Sequence, residues 1–167
     1  MNSTAYLSLG SNLGDRINNL VTAITHLKRF VKINNISSFY QTEPINVEKQ
    51  EDFINIAIEV STRLTPSDFL IHTQKIEILM GRETCQVGRP RVIDIDIIFF
   101  NSMVYNRLGL QIPHPRAHQR AFVIIPIMEL NPQLIHPVLN KSMGEISKNL
   151  LDQRIIKLDD IDIEKIK

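Results

Sequence analysis

Two aspartates in an apolar, β-branched segment are the residues of this sequence whose types and spacing are best suited to chemistry. The segment GRPRVIDIDIIFF (88–100) carries Asp94 and Asp96 two positions apart, so in a strand both carboxylates lie on one face. Neighbouring carboxylates repel each other unless a cation lies between them, and Mg²⁺ takes one or two carboxylates together with phosphate oxygens. Arg89 and Arg91, just upstream, supply donors suited to phosphate. The pattern indicates a metal and phosphate site; the alternative is a half-exposed strand whose aspartates meet solvent or lysines.

A second aspartate pair with the same spacing lies in the C-terminal tail. Asp160 and Asp162 in DDIDIEKIK are flanked by glutamate and lysines, with no arginine and no continuous apolar strand. This pair predicts a solvated C-terminal edge. The flanking residues, and not the spacing, therefore distinguish the first pair.

Length and composition limit the classes of protein that this chain can represent. We expect 167 residues to form one domain over 1–167, with about 140–167 as a C-terminal extension. The net charge of +1 argues against nucleic-acid and membrane partners. The single cysteine, Cys85, cannot form an intramolecular disulfide, and no apolar run reaches membrane-spanning length or forms a signal segment after Met1. We expect a cytoplasmic protein, and a monomer.

Hydrophobic periodicity and turn residues predict an α+β architecture. Strands are predicted at 4–9, 32–40 and 53–62, and from the aspartate segment to about 104, with 134–138 extended. Helices are predicted from near Asp15 to Phe30, from Pro66 to Gly81, over 122–130, and over 142–151 with a capping box at Ser142 and Glu145. Helices packed on a mixed, mainly antiparallel sheet give an α+β sandwich.

The strand at 53–62 places different residues on its two faces. Ile54, Ile56, Ile58 and Val60 alternate on the face that we expect to join the core. Phe53 and Asn55 share the opposite face, where an aromatic ring beside an amide could stack on and hydrogen-bond a flat heterocycle. A covered second face of the sheet explains these two residues almost as well.

Three further groups have both a functional and a structural interpretation. The segment IPHPRAHQRAF (112–122) clusters His114, Arg116, His118 and Arg120 directly after the aspartate strand, which favours anion binding over a solvated charge cluster. The turn GSNLGDR (10–16) could hold phosphate on backbone N–H groups or could be only a turn. Gln74 and Glu77, one helical turn apart, suggest a solvated helix face when taken alone.

These segments occur in one order along most of the chain: SLGSNLGDR, SSFYQTEP, FIN, HTQKIE with GR, RPRVIDIDII, PHPR and RAFV. In this combination, over roughly residues 4–135, the sequence resembles the 6-hydroxymethyl-7,8-dihydropterin pyrophosphokinase family of folate synthesis. The resemblance implies a ferredoxin-like sandwich. It also implies transfer of the β,γ-diphosphate of ATP to the pterin hydroxymethyl group, with release of AMP and dependence on Mg²⁺.

The resemblance assigns roles to individual residues. Asp94 and Asp96 match ligands of two Mg²⁺ ions on the phosphates, and Phe53 and Phe122 match a pair of rings that stack on the pterin. The implied catalytic residues are Arg82, Arg91 and Asp96, with Asp96 the one candidate for a general base. The implied pterin pocket is Thr42, Glu43, Pro44, Ile45, Phe53, Asn55 and Phe122. The implied ATP site is Gln74, Glu77, Arg89, Arg91, Ile97, His114, Arg116 and Arg120.

The sequence departs from the family pattern in the loop before the aspartate strand. The loop reads ETCQVGRPR (83–91) and the chain has no tryptophan, whereas relatives usually carry more arginine and often an aromatic there. Thr84, Cys85 and Val87 replace residues that are commonly basic or polar, the loop is a residue shorter than in some relatives, and we expect Arg89 to supply the missing phosphate contact. Its polarity predicts a mobile loop.

Other classes of protein remain to be weighed against an enzyme. A ferredoxin-like module that binds a nucleotide or pterin without chemistry is the main alternative, and product formation distinguishes the two. An RNA-binding module of the same fold is disfavoured by the near-neutral charge and by strands without stacked aromatics. A P-loop kinase is excluded because no G-x-x-x-x-G-K-[ST] motif occurs.

Overall fold

The computed structural model describes residues 2–44, 50–82, 89–107, 109–159, 161 and 166. Within these ranges the strands are β1 (Ser3–Ser11), β2 (Lys32–Ile36), β3 (Phe39–Thr42), β4 (Phe53–Thr62), β5 (Asp94–Phe100), β6 (Tyr105–Arg107), β7 (Leu110–Ile112) and β8 (Ile155–Leu158). The helices are α1 (Arg16–Leu27), α2 (Pro66–Leu79), α3 (Ala121–Leu130) and α4 (Met143–Ser147). The predicted α+β class is confirmed.

The main sheet has the ferredoxin-like order. The strands run β5-β1-β4-β3-β8, with β2 also paired to β4, and β6 and β7 form a separate hairpin. The pairs between strands of the described chain are all antiparallel. The long central strands β1 and β4 pair over nine residues, so β5 and β3 lie on either side of a rigid pair.

Both faces of this sheet are covered. Ile54, Ile56, Ile58 and Val60 of β4 are buried with residues of α1 and α2, which confirms the predicted core face. The opposite face, with Ala57 and Ile98, packs against α3 and α4. Because α3 covers only part of that second face, the end of the sheet at the start of β5 and β4 stays open to a cleft.

The predicted helix starts are confirmed by their caps. The Asp15 side chain accepts from the Asn18 N–H at the start of α1, and the Thr65 side chain accepts from the Asp68 N–H at the start of α2. Such caps satisfy backbone donors that the first helical turn leaves free. The capping box of Ser142 with Glu145 is present as well.

The predicted strand at 32–40 is wrong as a single element. It is divided at Ser37 and Ser38 into β2 and β3, which pair with different parts of β4. The Ser37 hydroxyl accepts from the Ala57 N–H at 2.9 Å, and Ser38 donates its N–H and its hydroxyl to the Glu129 carboxylate on α3. Serine side chains that compete for backbone partners in this way interrupt a regular ladder.

Three other element boundaries differ from the predictions. β5 ends at Phe100 and not near 104, because Asn101 adopts a left-handed φ of 49°. The predicted helix over 142–151 is the short α4 followed by a 3-10 turn, Lys148–Leu150. Strand β8 was not predicted; its residues pair with β3 at the edge of the sheet. Asp160 and Asp162, the predicted solvated pair, lie outside the described residues.

Candidate functional site

An open cleft of about 540 Å³ lies where β1, β4 and β5 meet the segment between β7 and α3. Ser8 and Gly10 of β1 form its floor, beside Asn55 of β4 and the two aspartates of β5. The register explains this grouping, because Ser8 pairs with Asp96 and Gly10 pairs with both Asp94 and Asn55. The sheet thus places the carboxylates and the amide about one strand spacing on either side of β1.

The first carboxylate is held by two arginines. Asp94 Oδ1 lies 3.0 Å from Nη1 of Arg82, and Asp94 Oδ2 lies 2.7 Å from Nη1 of Arg91. Arg82 also pairs with the buried Glu77 carboxylate of α2, which in turn accepts the Ile95 N–H at 2.8 Å. Arg82 is therefore shared between an acid inside the fold and an acid facing the cleft.

The second carboxylate is the more desolvated member of the pair. Burial, followed by the charge of Asp94, raises the pKa of Asp96 to about 6, against the opposing charges of Arg120, Arg82 and Arg91. A carboxylate whose proton affinity is raised by a neighbouring negative charge is stabilised in its ionised form by a nearby cation. The pair therefore fits the oxygen ligands that Mg²⁺ prefers, with phosphate oxygens completing the shell.

Glu77 was predicted from its spacing alone to lie on a solvated helix face, and that interpretation is wrong. Its side chain is 6% exposed, and burial raises its pKa to about 7, with the charge of Asp94 acting in the same direction. The Ile95 N–H and Arg82 act in the opposite direction and favour the ionised form. Glu77 lies behind the cleft, where it connects α2 to β5 and to Arg82.

The wall opposite the aspartates is basic. His114, Arg116 and Arg120 line the cleft, and burial together with the charges of Arg120 and Arg116 lowers the pKa of His114 to about 4. The imidazole is therefore neutral at pH 7, and its Nδ1 accepts the Arg116 N–H at 3.4 Å. This bond leaves the Nε2–H as the donor that can face a ligand.

Two aromatic rings and an amide also line the cleft. Phe53 and Phe122 both border it, and the Arg120 guanidinium lies 5.5 Å from the centre of the Phe122 ring. Asn55, buried at 3% exposure, donates from Nδ2 to the Thr42 hydroxyl at 2.8 Å. An aromatic ring beside an oriented amide suits a flat heterocycle with hydrogen-bonding edges.

Most of the predicted site residues line this one cleft. The structure brings together the following: Thr42, Glu43, Pro44, Phe53, Asn55, Arg82, Arg89, Arg91, Asp94, Asp96, His114, Arg116, Arg120 and Phe122. Gln74 is exposed on α2 and does not border it, and Ile97 is buried in the core at 4% exposure. Ile45 lies outside the described residues, as do Thr84, Cys85 and Val87.

Sequence reasoning missed Ser8, Gln50 and Gln119, which also line the cleft. Alternation along β1 could have found Ser8, since it lies two residues from Gly10 and therefore on the same face. The Gly-rich turn also holds the segment that leads into β5. Asn12 is buried and exchanges bonds with the backbone of Arg91, from Arg91 N to Asn12 Oδ1 at 2.7 Å and from Asn12 N to Arg91 O at 3.0 Å.

No helix in the described ranges is long and apolar enough to cross a membrane. In the same part of the chain, no group of three or more His, Cys, Asp or Glu side chains could hold a metal. The aspartate pair supplies two carboxylates, and phosphate oxygens of a ligand would complete the shell of a metal bound there.

Comparison with known proteins places the chain among enzymes of one family. A sequence profile described as 7,8-dihydro-6-hydroxymethylpterin-pyrophosphokinase (HPPK) matches residues 6–132. The chain is 37% identical over 143 residues to the 2-amino-4-hydroxy-6-hydroxymethyldihydropteridine pyrophosphokinase of Aquifex aeolicus, covering 86% of this chain and 89% of that protein. It is 40% identical over 136 residues to the Bacillus subtilis protein of the same name, covering 80% of this chain and 81% of that protein.

Other relatives are much longer than this chain. It is 40% identical over 150 residues to the folic acid synthesis protein FOL1 of Dictyostelium discoideum, covering 89% of this chain but 23% of that protein. The crystal structure of Plasmodium falciparum HPPK-DHPS wild type with pterin and p-hydroxybenzoate superposes with a TM-score of 0.73 at 20% identity, covering 89% of this chain and 42% of that one. The superposition supports the fold.

The family profile and the names of two relatives of similar length indicate the same enzyme family. The profile spans the strands and the segment before α3 that enclose the cleft. The chain therefore belongs to the 7,8-dihydro-6-hydroxymethylpterin-pyrophosphokinase family.

Proposed function

We propose that this protein transfers the β,γ-diphosphate of ATP to the hydroxymethyl group of 6-hydroxymethyl-7,8-dihydropterin and releases AMP, as a step of folate biosynthesis. One observation carries the proposal. A single cleft is lined by a carboxylate pair and basic side chains together with two aromatic rings and a buried amide. That arrangement suits a reaction between a polyphosphate and a flat heterocycle, and family membership supports it.

At the basic end we propose that the chain binds the nucleotide. Arg89, Arg91, Arg116 and Arg120 line the cleft with His114, and guanidinium groups bind phosphate through paired N–H donors. Transfer of a diphosphoryl group from the AMP oxygen to a hydroxyl oxygen leaves little covalent chemistry for a protein, so positioning and charge stabilisation are the main contributions. Gln74, Glu77 and Ile97 are retained in the proposed ATP site on family resemblance; with its side chain in the core, Ile97 would contribute backbone groups.

The proposed metal site is Asp94 with Asp96, holding two Mg²⁺ ions against the phosphates. Bound Mg²⁺ would neutralise phosphate charge and orient the reacting oxygens. Asp96 is the carboxylate nearest in register to the floor residue Ser8, and we propose it as the group that accepts the hydroxyl proton. Arg82 and Arg91 now neutralise Asp94, and we propose that both also stabilise phosphate charge during transfer.

At the aromatic end we propose that Phe53 and Phe122 enclose the pterin ring. The Asn55 amide, oriented by Thr42, would read the edge of the heterocycle through hydrogen bonds. Glu43 and Pro44 border the same end, and Ile45 is proposed there on family resemblance. The attacking hydroxymethyl group would then point from this slot toward the aspartates.

We propose that residues 1–167 act as one domain, as a cytoplasmic monomer that acts on small molecules. The pairing of β8 with β3 supports inclusion of the C-terminal segment in that domain. The near-neutral net charge supports small-molecule substrates over a polyanion. Light scattering after size exclusion tests the monomer, which must elute with the mass of one chain.

The reaction is tested by incubating the protein with ATP, Mg²⁺ and 6-hydroxymethyl-7,8-dihydropterin and separating the products by chromatography. AMP and pterin diphosphate must form only when both the metal and the pterin are present. ADP in place of AMP would show transfer of the γ-phosphoryl group alone and refute the assignment. Binding of both ligands without any nucleotide product would instead support a binding module without chemistry.

A further inference from the structure

A glutamine in the turn before β8 contacts the wall that carries Phe122. Gln153 Oε1 accepts the Ala121 N–H at 2.8 Å, and Gln153 Nε2 donates to the Gln119 carbonyl at 2.8 Å. These two bonds bracket Arg120, the cleft residue between them. Gln153 lies 32 and 34 positions along the chain from its two partners, so the contact is tertiary and not part of a local turn.

The partner of Gln153 is a helix start that lacks its own cap. α3 begins at Ala121, and its N-cap residue Arg120 makes no side-chain capping bond. Free backbone donors in a first helical turn need an acceptor from elsewhere. The Gln153 amide supplies one, and its second bond fixes the carbonyl on the other side of Arg120.

The same C-terminal segment also reaches the opposite wall of the cleft. Strand β8 pairs with β3 from Thr42 opposite Ile155 to Phe39 opposite Leu158, and Arg154 pairs with Glu43 at 2.6 Å. The Arg154 and Glu43 side chains are 68% and 56% exposed, so this ion pair contributes little in water. The half-buried Gln153 amide is the stronger of the two attachments.

We propose that Gln153 is a positioning residue for heterocycle binding: by tying Gln119 and Ala121 to the C-terminal segment, it sets the position of the Phe122 ring. The proposal rests on the proposed function, because it takes the pterin as the ligand at Phe122. Gln153 lies beyond the segment that the family profile matches, which ends at 132. Its action is indirect, since it does not line the cleft.

The test compares Gln153→Met with Gln133→Met. Methionine keeps the length of the side chain but removes both hydrogen bonds, and Gln133 is an exposed glutamine in the turn after α3. Loss of a capping bond corresponds to about a fivefold weakening, so Gln153→Met should raise KM for the pterin about fivefold. KM for ATP should change less than about twofold, because only Arg120 of the four proposed nucleotide arginines lies in the tethered turn, whereas Arg89, Arg91 and Arg116 lie outside it. Gln133→Met should leave both constants at the wild-type values.

A second measurement does not depend on activity. Hydrogen exchange in peptides covering 119–124 should accelerate about fivefold in Gln153→Met and stay unchanged in Gln133→Met. If the wild type makes no AMP, the proposed function fails. Unchanged exchange in Gln153→Met would then also show that the two Gln153 hydrogen bonds do not hold the start of α3. Faster exchange with an unchanged pterin KM in an active enzyme would refute the positioning role. Equal loss of ATP and pterin affinity would also refute it, because that result indicates a general structural effect.

Discussion

Replacing Gly10 by alanine should disturb the pterin end of the cleft through one identifiable contact. A Cβ atom at Gly10 would lie 2.7 Å from Asn55 Oδ1 and 3.5 Å from the Phe53 ring. Contacts of 2.7 Å to a carbon are too short to persist, so the Asn55 amide must move. It cannot move freely, because it is 3% exposed and bonded to the Thr42 hydroxyl.

The expected cost follows from what Asn55 loses. A buried hydrogen bond to Thr42 contributes about 1 kcal/mol, and an off-rotamer side chain costs about 1 kcal/mol more. The stiffer backbone of alanine in a strand offsets about 0.5–1 kcal/mol of this. The net loss of unfolding free energy is about 1–1.5 kcal/mol, which lowers Tm by about 2–6 °C in a chain of this size. KM for the pterin should rise about tenfold, because the displaced amide is the proposed reader of the heterocycle.

Gly144→Ala is the matched control. Its Cβ atom would meet only the Pro132 carbonyl oxygen, at 3.6 Å, which is ordinary contact. Because Gly144 lies in α4, alanine should raise the unfolding free energy by up to about 1 kcal/mol and leave both KM values unchanged. Calorimetry and steady-state kinetics on the two variants measure these opposite signs.

A double-mutant cycle tests the mechanism of the Gly10 effect. If the clash with Asn55 is the cause, Gly10→Ala should cost almost nothing in an Asn55→Ala background. Additive effects of the two substitutions would refute the reasoning. So would a Gly10→Ala protein with wild-type Tm and wild-type KM for the pterin.

Three further predictions concern the rest of the cleft. Asp94→Ala or Asp96→Ala should reduce AMP formation below about one hundredth of wild type with the far-UV spectrum unchanged, and residual activity above about one tenth would contradict the metal site. Because the pKa of His114 is lowered from 6.5 to about 4, the unfolded chain takes up a proton there before the folded protein does, and stability must fall as pH drops through that interval. In urea titrations from pH 7 to pH 4, the free energy of unfolding should fall less steeply in His114→Gln than in the wild type. Parallel curves would contradict a lowered pKa of His114 in the folded protein. Phe122→Leu should raise KM for the pterin about two- to tenfold by removing ring stacking with KM for ATP unchanged; an equal rise in both would mean that the ring does not act through stacking.

The elements that local rules control were predicted from sequence. The helix starts near Asp15 and Pro66 and the isoleucine face of β4 follow from hydrogen bonding and alternation among neighbours in the chain. The shared face of Asp94 and Asp96 follows from the same alternation, and the structure places both in the cleft. Local rules failed at Ser38, where the Glu129 carboxylate from α3 interrupts the strand.

The sequence-based interpretation of the site also failed where contacts between distant parts of the chain decide the environment of a residue. Helical spacing places Glu77 on a different face of α2 from the predicted apolar stripe, but it does not say which other element packs against that face. In the structure, β5 packs against this face, and the Ile95 N–H donates to the Glu77 carboxylate. The acid that the spacing predicted to be solvated is therefore buried. Gln153 gave no signal, because its partners lie more than 30 positions away and an isolated glutamine has no preferred pattern.

The sequence by itself determined which residues are candidates for the chemistry: the aspartate pair, the arginines beside it, and the aromatic and amide of β4. Residue type and the two-residue period of a strand decide these without knowledge of any long-range contact. Only the tertiary structure decided which charges meet, with Arg82 shared between Glu77 and Asp94 and the C-terminal segment tied to the start of α3. These contacts join elements distant in the chain, and their geometry depends on how the sheet and helices pack together, which no local pattern encodes.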